Sequence, residues 1–246
     1  MRRRRRERYL ATLTLARRAI SKLHRLTTEL VWKVRWGKKP FAEYQRHRMN
    51  SWGQVDPELA VGGLWDQIGV LQLRTMQTAG LKPHHQFLDV GAGSLRGGLH
   101  LIKYLDTGNY WGTDLSSTLL ETGHRNLEQS GLTEKMPHLA ISTDFKFDEL
   151  DGELFDFALA FGVFTDVPAD SVRECFANLR KVLAPNGVFL ATFAMGPLYV
   201  ENRSGLSFRY PWTFFADICA EQGFSIRMAR RFQHPKGHSL FMVKRG

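Results

Sequence analysis

An acidic residue followed by a glycine-rich turn is the first place in this chain where residue types and spacing indicate chemistry. The apolar run Phe87-Leu88 leads to Asp89, and glycines follow at positions 91, 93 and 97. Glycine lets a backbone turn tightly and lets a ligand approach closely, and the start of a helix favours a carboxylate or phosphate group. Residues 87–98 therefore predict a strand, a nucleoside-binding loop and the start of a helix.

Three more acidic residues follow predicted strands further along the chain. Asp114 comes after the short strand 110–113, Asp144 after residues 138–142, and Asp166 after the apolar run 155–161. A continuous apolar run of this kind is typical of a strand that is covered on both faces.

Strand and helix patterns alternate five times between residues 87 and 193, which predicts a parallel sheet with helices on both faces. Residues 224–232 and 239–244 then read as two strands, and the link between them is too short for a parallel crossover. The predicted fold class is α/β: a Rossmann-like, mostly parallel, seven-stranded sheet that ends in an antiparallel C-terminal hairpin.

The spacing of the glycines indicates which kind of nucleoside cofactor the loop would bind. Dinucleotide-binding folds use Gly-x-Gly-x-x-Gly, whereas this loop reads Gly91-x-Gly93-x-x-x-Gly97 with Asp89 before it. Over about residues 64–246 the chain resembles the class I S-adenosylmethionine-dependent methyltransferases, whose first motif is an acid at a strand end followed by Gly-x-Gly. The resemblance implies S-adenosylmethionine as cofactor and no metal.

The resemblance also implies roles for individual residues. Asp89 would accept from the ammonium of the methionyl part and Asp114 from the ribose hydroxyls, because charge-assisted hydrogen bonds are the stronger ones. Asp144 would contact the adenine amino group. The remaining implied contacts are Gly91, Ala92 and Gly93 along the methionyl part, Ser94 and Arg96 at its carboxylate, Leu115 after the second strand, Phe145 beside the adenine, and Phe161 and Gly162 near the reacting methyl.

Structural roles compete with several of these assignments. Asp114 could cap the helix that begins near Ser116, and Asp144 could cap a turn. Asp166 is the predicted catalytic residue, as a general base for a hydroxyl acceptor, or else a cap of the following helix. Other residues considered for the acceptor pocket are His47, Tyr199, Glu201 and His234.

Charge is concentrated at the N-terminus. Residues 1–50 hold 16 Lys and Arg against three acids, while the rest of the chain carries 18 against 21. Residues 1–40 are predicted as a basic arm with an amphipathic helix over 9–36, followed by a methyltransferase domain over 41–246, with 41–83 as a cap segment and 84–246 as the core. The arm could pack on its own domain, contact an anionic membrane through residues 1–36 or attract nucleic acid.

The acceptor is the least constrained part of the prediction. The mildly acidic body offers no basic track, so nucleic acid is less favoured than a small-molecule, lipid-linked or saccharide acceptor methylated on a hydroxyl or carboxyl oxygen. The alternatives are an RNA methyltransferase recruited by the arm and a non-catalytic cofactor-binding protein. Two distant cysteines, Cys175 and Cys219, suggest neither a disulfide nor a metal site and indicate a cytoplasmic location.

Overall fold

The computed structural model describes residues 40–201 and 207–245 of the chain. The predicted basic helix over residues 9–36 lies outside this part. Seven helices occur in it: α1 (Phe41–Val55), α2 (Pro57–Ala60), α3 (Trp65–Ala79), α4 (Gly98–Tyr104), α5 (Ser117–Gln129), α6 (Ala169–Val182) and α7 (Trp212–Glu221). None of these helices is long and apolar enough to cross a membrane.

The strands form one large sheet and one short hairpin. They are β1 (Phe87–Val90), β2 (Tyr110–Asp114), β3 (His138–Ile141), β4 (Phe155–Ala160), β5 (Leu183–Phe193), β6 (Val200–Glu201), β7 (Phe208–Arg209), β8 (Phe224–Met228) and β9 (Ser239–Arg245). The seven-stranded sheet has the order β3-β2-β1-β4-β5-β9-β8. β1 to β5 run parallel, and β9 is antiparallel to both of its neighbours. The predicted fold class is confirmed.

The connectivity places a crevice at the centre of the sheet. From β1 the chain proceeds to β2 on one side and later returns to β4 on the other. The order of the strands reverses at this point, and in open α/β sheets ligands bind beyond the carboxyl ends of the strands there. The site residues predicted from sequence lie at the ends of β1, β2 and β4 and in the loops after them, except Asp144 and Phe145, which follow β3.

Side chains of the sheet alternate between two buried layers. Leu88, Val90 and Ala158 belong to one cluster, which contains the aromatic groups around Phe164, whereas Phe87 belongs to the other cluster. All four residues of β1 are buried, as expected for a strand covered on both faces. This rigid support fixes the loop that follows Val90.

Three segments contain Gly or Pro residues that predict turns or irregular structure, namely Trp52-Gly53, residues 184–187 and residues 195–210, and the structure differs from that prediction in each. Trp52-Gly53 read as a turn signal but lies within α1, where Gly53 packs close to Leu119 of α5. The turn predicted at residues 184–187 is an irregularity inside β5, where its pairing with β4 shifts. The segment 195–210 contains the β6–β7 hairpin. In each case tertiary packing outweighs the local turn residues.

Both cysteines are buried and free. Burial raises the pKa of Cys219 to about 12 and raises that of Cys175 still further above its ordinary value. A thiol that is both buried and protonated is unreactive, so both side chains serve packing.

Candidate active site

The loop after β1 is held in a conformation that requires glycine at two positions. Gly91 and Gly93 have φ angles of 78° and 56°, in the left-handed region that favours glycine. A Cβ atom at Gly91 would lie 2.5 Å from Val163 Cγ2, and one at Gly93 would lie 2.7 Å from Val61 Cγ1. The backbone of the loop is therefore in close contact with the walls of the crevice.

Asp89 is a buried carboxyl at the base of the crevice, with 4% of its surface exposed. Its Oδ2 accepts a hydrogen bond of 2.8 Å from the Tyr110 hydroxyl. Burial raises the pKa of Asp89 to about 7, even though the bond from Tyr110 acts in the opposite direction. A cation that reached this carboxyl from the crevice would stabilise its ionised form.

Asp114 joins the second strand to the glycine loop. Its Oδ2 accepts from Gly93 N at 2.9 Å and its Oδ1 accepts from Ser116 N at 2.8 Å. Burial nevertheless raises the pKa of Asp114 to about 6. The cap of α5 is Ser116, whose hydroxyl accepts from Leu119 N. The alternative in which Asp114 caps this helix is therefore wrong.

A cavity of about 110 Å³ opens beside Asp114, between the loops after β2 and β3. Its lining includes Leu115, Asp144 and Phe145 as well as Phe41 and Gln45 from α1. This combination of apolar and polar walls suits a flat heteroaromatic ring.

Asp144 also has a structural role in this region. Its carboxylate accepts from Lys146 N at 3.0 Å and lies 3.1 Å from Lys146 Nζ. Burial acts to raise the pKa of Asp144, but the hydrogen bonds and charge of Lys146 outweigh that effect and lower it. The turn-capping role foreseen for Asp144 is present, and its proposed contact with adenine would share a carboxylate that is already engaged.

A second cavity, of about 530 Å³, adjoins the first. Its lining includes predicted residues from the ends of three strands and the loops that follow them: Asp89, Gly91, Ala92 and Arg96 at β1, Asp114 and Leu115 at β2, and Phe161, Gly162 and Asp166 after β4. Gly91, Asp114 and Leu115 line both cavities. The two together form one cleft along the carboxyl ends of β1, β2 and β4.

Ser94 and Gly93 are predicted residues that are not among those that line this cleft. Gly93 donates its backbone N–H to Asp114, whereas Ser94 lies in another part of the structure. It is fully buried and lines a separate cavity of about 200 Å³ with Trp65 and Asn126. Its side chain thus faces the helices on the far side of the loop. A contact between the Ser94 side chain and a ligand in the cleft is not supported by this placement.

Arg96 lines the cleft and is not a solvated first-turn side chain. It is 8% exposed, and its Nη1 donates to the carbonyl oxygens of Val61 and Gly63 at 2.6 and 2.8 Å. Burial lowers the pKa of Arg96 to about 10, against the opposing effect of Asp89.

Asp166 faces the larger cavity from the loop after β4. Helix α6 begins at Ala169 with Pro168 as its N-cap, so the alternative in which Asp166 caps that helix is wrong. Asp166 is half-buried, and burial raises the pKa of its carboxyl while Arg48 and Lys236 act to lower it. The neighbouring Gly162 is fixed by a 2.7 Å hydrogen bond from its N–H to Thr192 Oγ1.

The cleft also contains residues that the sequence did not assign to it. Helix α1 contributes Gln45, Arg48, Met49 and Trp52, spaced at i, i+3, i+4 and i+7 as one face of a helix. That spacing is the signal which could have identified them. The loop between β8 and β9 contributes His234, a residue considered from sequence, together with Lys236 and His238.

The remaining acceptor candidates lie elsewhere. His47 and Tyr199 are exposed and are not among the residues that line the cleft. The side chain of Glu201 lies outside the described part of the structure. Burial lowers the pKa values of His234 and His238 to about 4, so both imidazoles are neutral at pH 7.

Unpartnered polar atoms are concentrated in this cleft. In the described part of the chain, seven buried side-chain polar atoms lack a hydrogen-bond partner. Five of them belong to residues that line the larger cavity, namely Gln45 Oε1, Arg48 Nε, Trp52 Nε1, Arg96 Nε and His238 Nδ1. Buried polar groups are normally hydrogen-bonded, so this distribution indicates a polar ligand. No group of His, Cys, Asp and Glu suited to a metal ion occurs among the described residues.

Known proteins share this architecture. Residues 88–189 match the family model described as a methyltransferase domain. Magnesium protoporphyrin IX methyltransferase (ChlM) from Synechocystis PCC 6803, solved with bound S-adenosylmethionine, is 15% identical with a TM-score of 0.64, over 85% of this chain and 98% of that chain. The glycopeptide N-methyltransferase MtfA, complexed with S-adenosylhomocysteine, is 15% identical with a TM-score of 0.57, over 72% and 90%.

The fold and the cleft define a Rossmann-like protein with a nucleoside site at the switch point of its sheet. Residues 88–189, which include the central strands, match a methyltransferase domain, and the fold is that of solved methyltransferases crystallised with S-adenosylmethionine or S-adenosylhomocysteine. These matches agree with the family, the enzyme class and the methyl donor predicted from sequence. The individual contacts to the donor stay predictions.

Proposed function

We propose that this enzyme transfers the methyl group of S-adenosylmethionine to an oxygen atom of a small-molecule, lipid-linked or saccharide acceptor. The observation that carries the proposal is the cavity of about 530 Å³, which is lined both by predicted donor residues and by residues of α1 and the β8–β9 loop, and so extends beyond the donor site. A pocket of this size encloses a small ligand. The structural neighbours include an N-methyltransferase and a porphyrin methyltransferase, so the fold does not identify the acceptor.

The residues of the cleft fit the methyl donor. Asp89 supplies a buried carboxylate for the ammonium, Asp114 supplies one for the ribose hydroxyls, and Phe145 borders the smaller cavity where the adenine would lie. The donor supplies an electrophilic methyl group on a positively charged sulfur. The protein aligns the acceptor with that group and excludes water, an effect that can contribute roughly 7 to 11 kcal/mol in well-oriented systems.

Asp166 is the residue we assign to proton removal if the acceptor is a hydroxyl. It faces the acceptor cavity, and a general base in such a position contributes about 100- to 10,000-fold. A carboxylate acceptor carries no proton to remove. Substituting Asp166→Asn and comparing turnover with the affinity for S-adenosylmethionine separates these roles, because loss of the base lowers turnover and leaves donor binding intact.

The general test uses donor labelled on its methyl group and fractionated extract of the native cell. We expect label to enter low-molecular-weight or lipid fractions, and we expect Gly93→Leu together with Asp114→Ala to abolish donor binding in calorimetry. Label recovered solely in RNA would favour the alternative of an RNA methyltransferase. Donor binding without transfer to any fraction would favour the non-catalytic alternative.

A further inference from the structure

Positive charge surrounds the acceptor side of the cleft. Arg96, Arg48, Lys236 and Arg209 all line the larger cavity, and the acids that line it are Asp89, Asp114 and Asp166. Asp89, Asp114 and Arg96 face the proposed donor site, which leaves Arg48, Lys236 and Arg209 against Asp166 on the acceptor side. The sulfonium of a bound donor adds further positive charge, so the acceptor region favours a ligand with negative charge.

Arg48 lies in the wall of the cavity with 6% of its surface exposed. Its guanidinium lies over the ring of Trp52, 5.0 Å from the ring centroid, and its Nε has no hydrogen-bond partner among the described residues. A buried guanidinium is costly unless it is hydrogen-bonded or paired. Its planar N–H groups can donate two parallel hydrogen bonds to one carboxylate or phosphate group.

Lys236 approaches the same cavity from the opposite side, at its exposed mouth. Its backbone N–H donates to His234 Nδ1 at 3.1 Å, and its ammonium donates to the carbonyl oxygen of Gly62. Arg96 donates to the carbonyls on either side of Gly62. The two cations are therefore held on one turn by neutral carbonyl groups, and the acids within electrostatic reach are Asp89 for Arg96 and Asp166 for Lys236.

The β8–β9 loop places this charge close to the end of β4. The His234 ring lies 5.3 Å from the Phe161 ring and stacks on His238 with centroids 4.3 Å apart and planes within 6°. Asp166 follows Phe161 in the same loop and lies within electrostatic reach of Arg48 and Lys236. The cations thus flank the region where the family places the reacting methyl.

We propose that the acceptor reacts through a carboxylate, which Arg48 binds in the wall of the cavity and Lys236 attracts at its mouth. This inference rests on the proposed function and narrows its acceptor. One carboxylate oxygen donates a lone pair to the methyl carbon, and the electrons of the carbon–sulfur bond pass to sulfur. The products are a methyl ester and S-adenosylhomocysteine, and no proton moves.

The chemical stability of the product tests this proposal directly. Extract is methylated by the full-length enzyme with labelled donor, the methylated fraction is recovered, and half of it is treated with mild alkali. A methyl ester releases volatile labelled methanol, whereas methyl ethers, methylamines and methyl phosphodiesters retain the label. Formation of S-adenosylhomocysteine with alkali-stable label overturns the carboxylate proposal and leaves the proposed function in place. Absence of transfer to any fraction overturns both.

Two variants test the assigned cations. We expect Arg48→Gln to raise the amount of acceptor fraction needed for half-maximal rate by about 10- to 100-fold, because hydrogen bonds to charged groups contribute the most. For Lys236→Gln, which is exposed, we expect a rise of no more than about fivefold. Arg173→Gln is the matched control, since Arg173 lies over Phe214 and near Glu221, away from the cavity.

The affinity for S-adenosylmethionine, measured by calorimetry on the same variants, shows whether a substitution affects the acceptor or the methyl donor. We expect it to stay within about threefold of the wild-type value. A loss of donor affinity in Arg48→Gln that equals the loss of turnover would assign Arg48 to the donor and overturn its role with the acceptor. A melting temperature equal to that of the control shows that the variants are folded.

Discussion

The three acidic residues of the donor cleft differ in how far their carboxylates are already engaged. Asp89 accepts one hydrogen bond, from Tyr110. Asp114 accepts two backbone hydrogen bonds, and Asp144 is paired with Lys146. The capacity to accept a further hydrogen bond therefore decreases from Asp89 to Asp144. The sequence cannot predict this order, because it shows only that each of the three acids lies at or after the end of a strand.

The first prediction concerns Asp89. Asp89→Asn removes the charge that we propose faces the ammonium of the donor, and a hydrogen bond to a charged group contributes about 1.5 to 3 kcal/mol. We expect the affinity for S-adenosylmethionine to fall by about 10- to 100-fold in calorimetry. Asp148→Asn, at an exposed acid that lines neither cavity, is the control and should change the affinity by less than about threefold. Equal losses in the two variants would contradict the assignment.

At the residue scale, local sequence patterns predicted part of the cleft. Asp89 and Gly91 line the cleft because one continuous motif determines their geometry, and Asp114 lines it because β2 pairs with β1 and ends beside that motif. Ser94 was placed wrongly because the motif does not specify which side of the loop its side chain faces. Arg48 shares a helical spacing with Gln45, Met49 and Trp52, but that spacing does not show what the helix face covers, and Lys236 has no local signature. Their proximity depends on how α1 and the β8–β9 loop close over the sheet.

At the scale of elements, α1 is a helix that the sequence did not predict, and the reason is physical. Helix prediction relies on an apolar face that packs on a core, but the inner face of α1 presents Gln45, Arg48 and Trp52 to a cavity. A polar inner face is a feature of a helix that covers a binding site. The strands and the C-terminal hairpin were predicted because their apolar patterns reflect burial in the sheet.

The second prediction concerns the attachment of α1 to α5. A Cβ at Gly53 would lie 3.1 Å from the end of the Leu119 side chain, and Ser116 Oγ donates to Asn50 Oδ1 at 2.7 Å. Gly53→Phe cannot fit between the helices and should displace α1, which lines both cavities. We expect the affinity for S-adenosylmethionine to fall at least tenfold, roughly the effect of 1.4 kcal/mol, in calorimetry.

Gly53→Ala is the matched control for this helix. Its single methyl group meets the flexible end of a leucine, and alanine is favoured over glycine within a helix by up to about 1 kcal/mol. We expect wild-type affinity and an equal or higher melting temperature. If Gly53→Phe binds the donor as tightly as Gly53→Ala does, then α1 is not part of the donor site.

The third prediction belongs to the whole molecule and concerns the basic arm. We propose that residues 1–36 attract anionic membranes, because they combine a high density of Lys and Arg with apolar residues at helical spacing. In flotation assays the full chain should bind phosphatidylserine vesicles and not phosphatidylcholine vesicles. Replacing Arg17, Arg18, Lys22 and Arg25 by Gln should reduce binding, since each basic residue near the surface contributes about 1 kcal/mol. Salt-sensitive binding to RNA without vesicle binding would contradict this role.

The last prediction couples proton binding to the stability of the whole molecule. Burial raises the pKa of Asp89 to about 7 and that of Asp114 to about 6, from an ordinary value of 3.8. A carboxyl with a raised pKa binds its proton more tightly in the folded protein than in the unfolded chain. The stabilisation is therefore complete below about pH 4 and is lost as the pH rises through about 6 and then 7. The free protein becomes less stable across this interval.

S-adenosylmethionine should reverse this trend, because its ammonium stabilises ionised Asp89. At pH 5.5, ionising a group with a pKa of about 7 costs about 2 kcal/mol, so the affinity should be roughly thirtyfold weaker than at pH 7.5. The rise in melting temperature with saturating donor should accordingly be larger at pH 7.5 than at pH 5.5, and binding at pH 6 should release protons in calorimetry. Asp89→Asn should flatten the pH dependence. A wild-type protein whose donor affinity does not change between these pH values would show that Asp89 does not meet the ammonium.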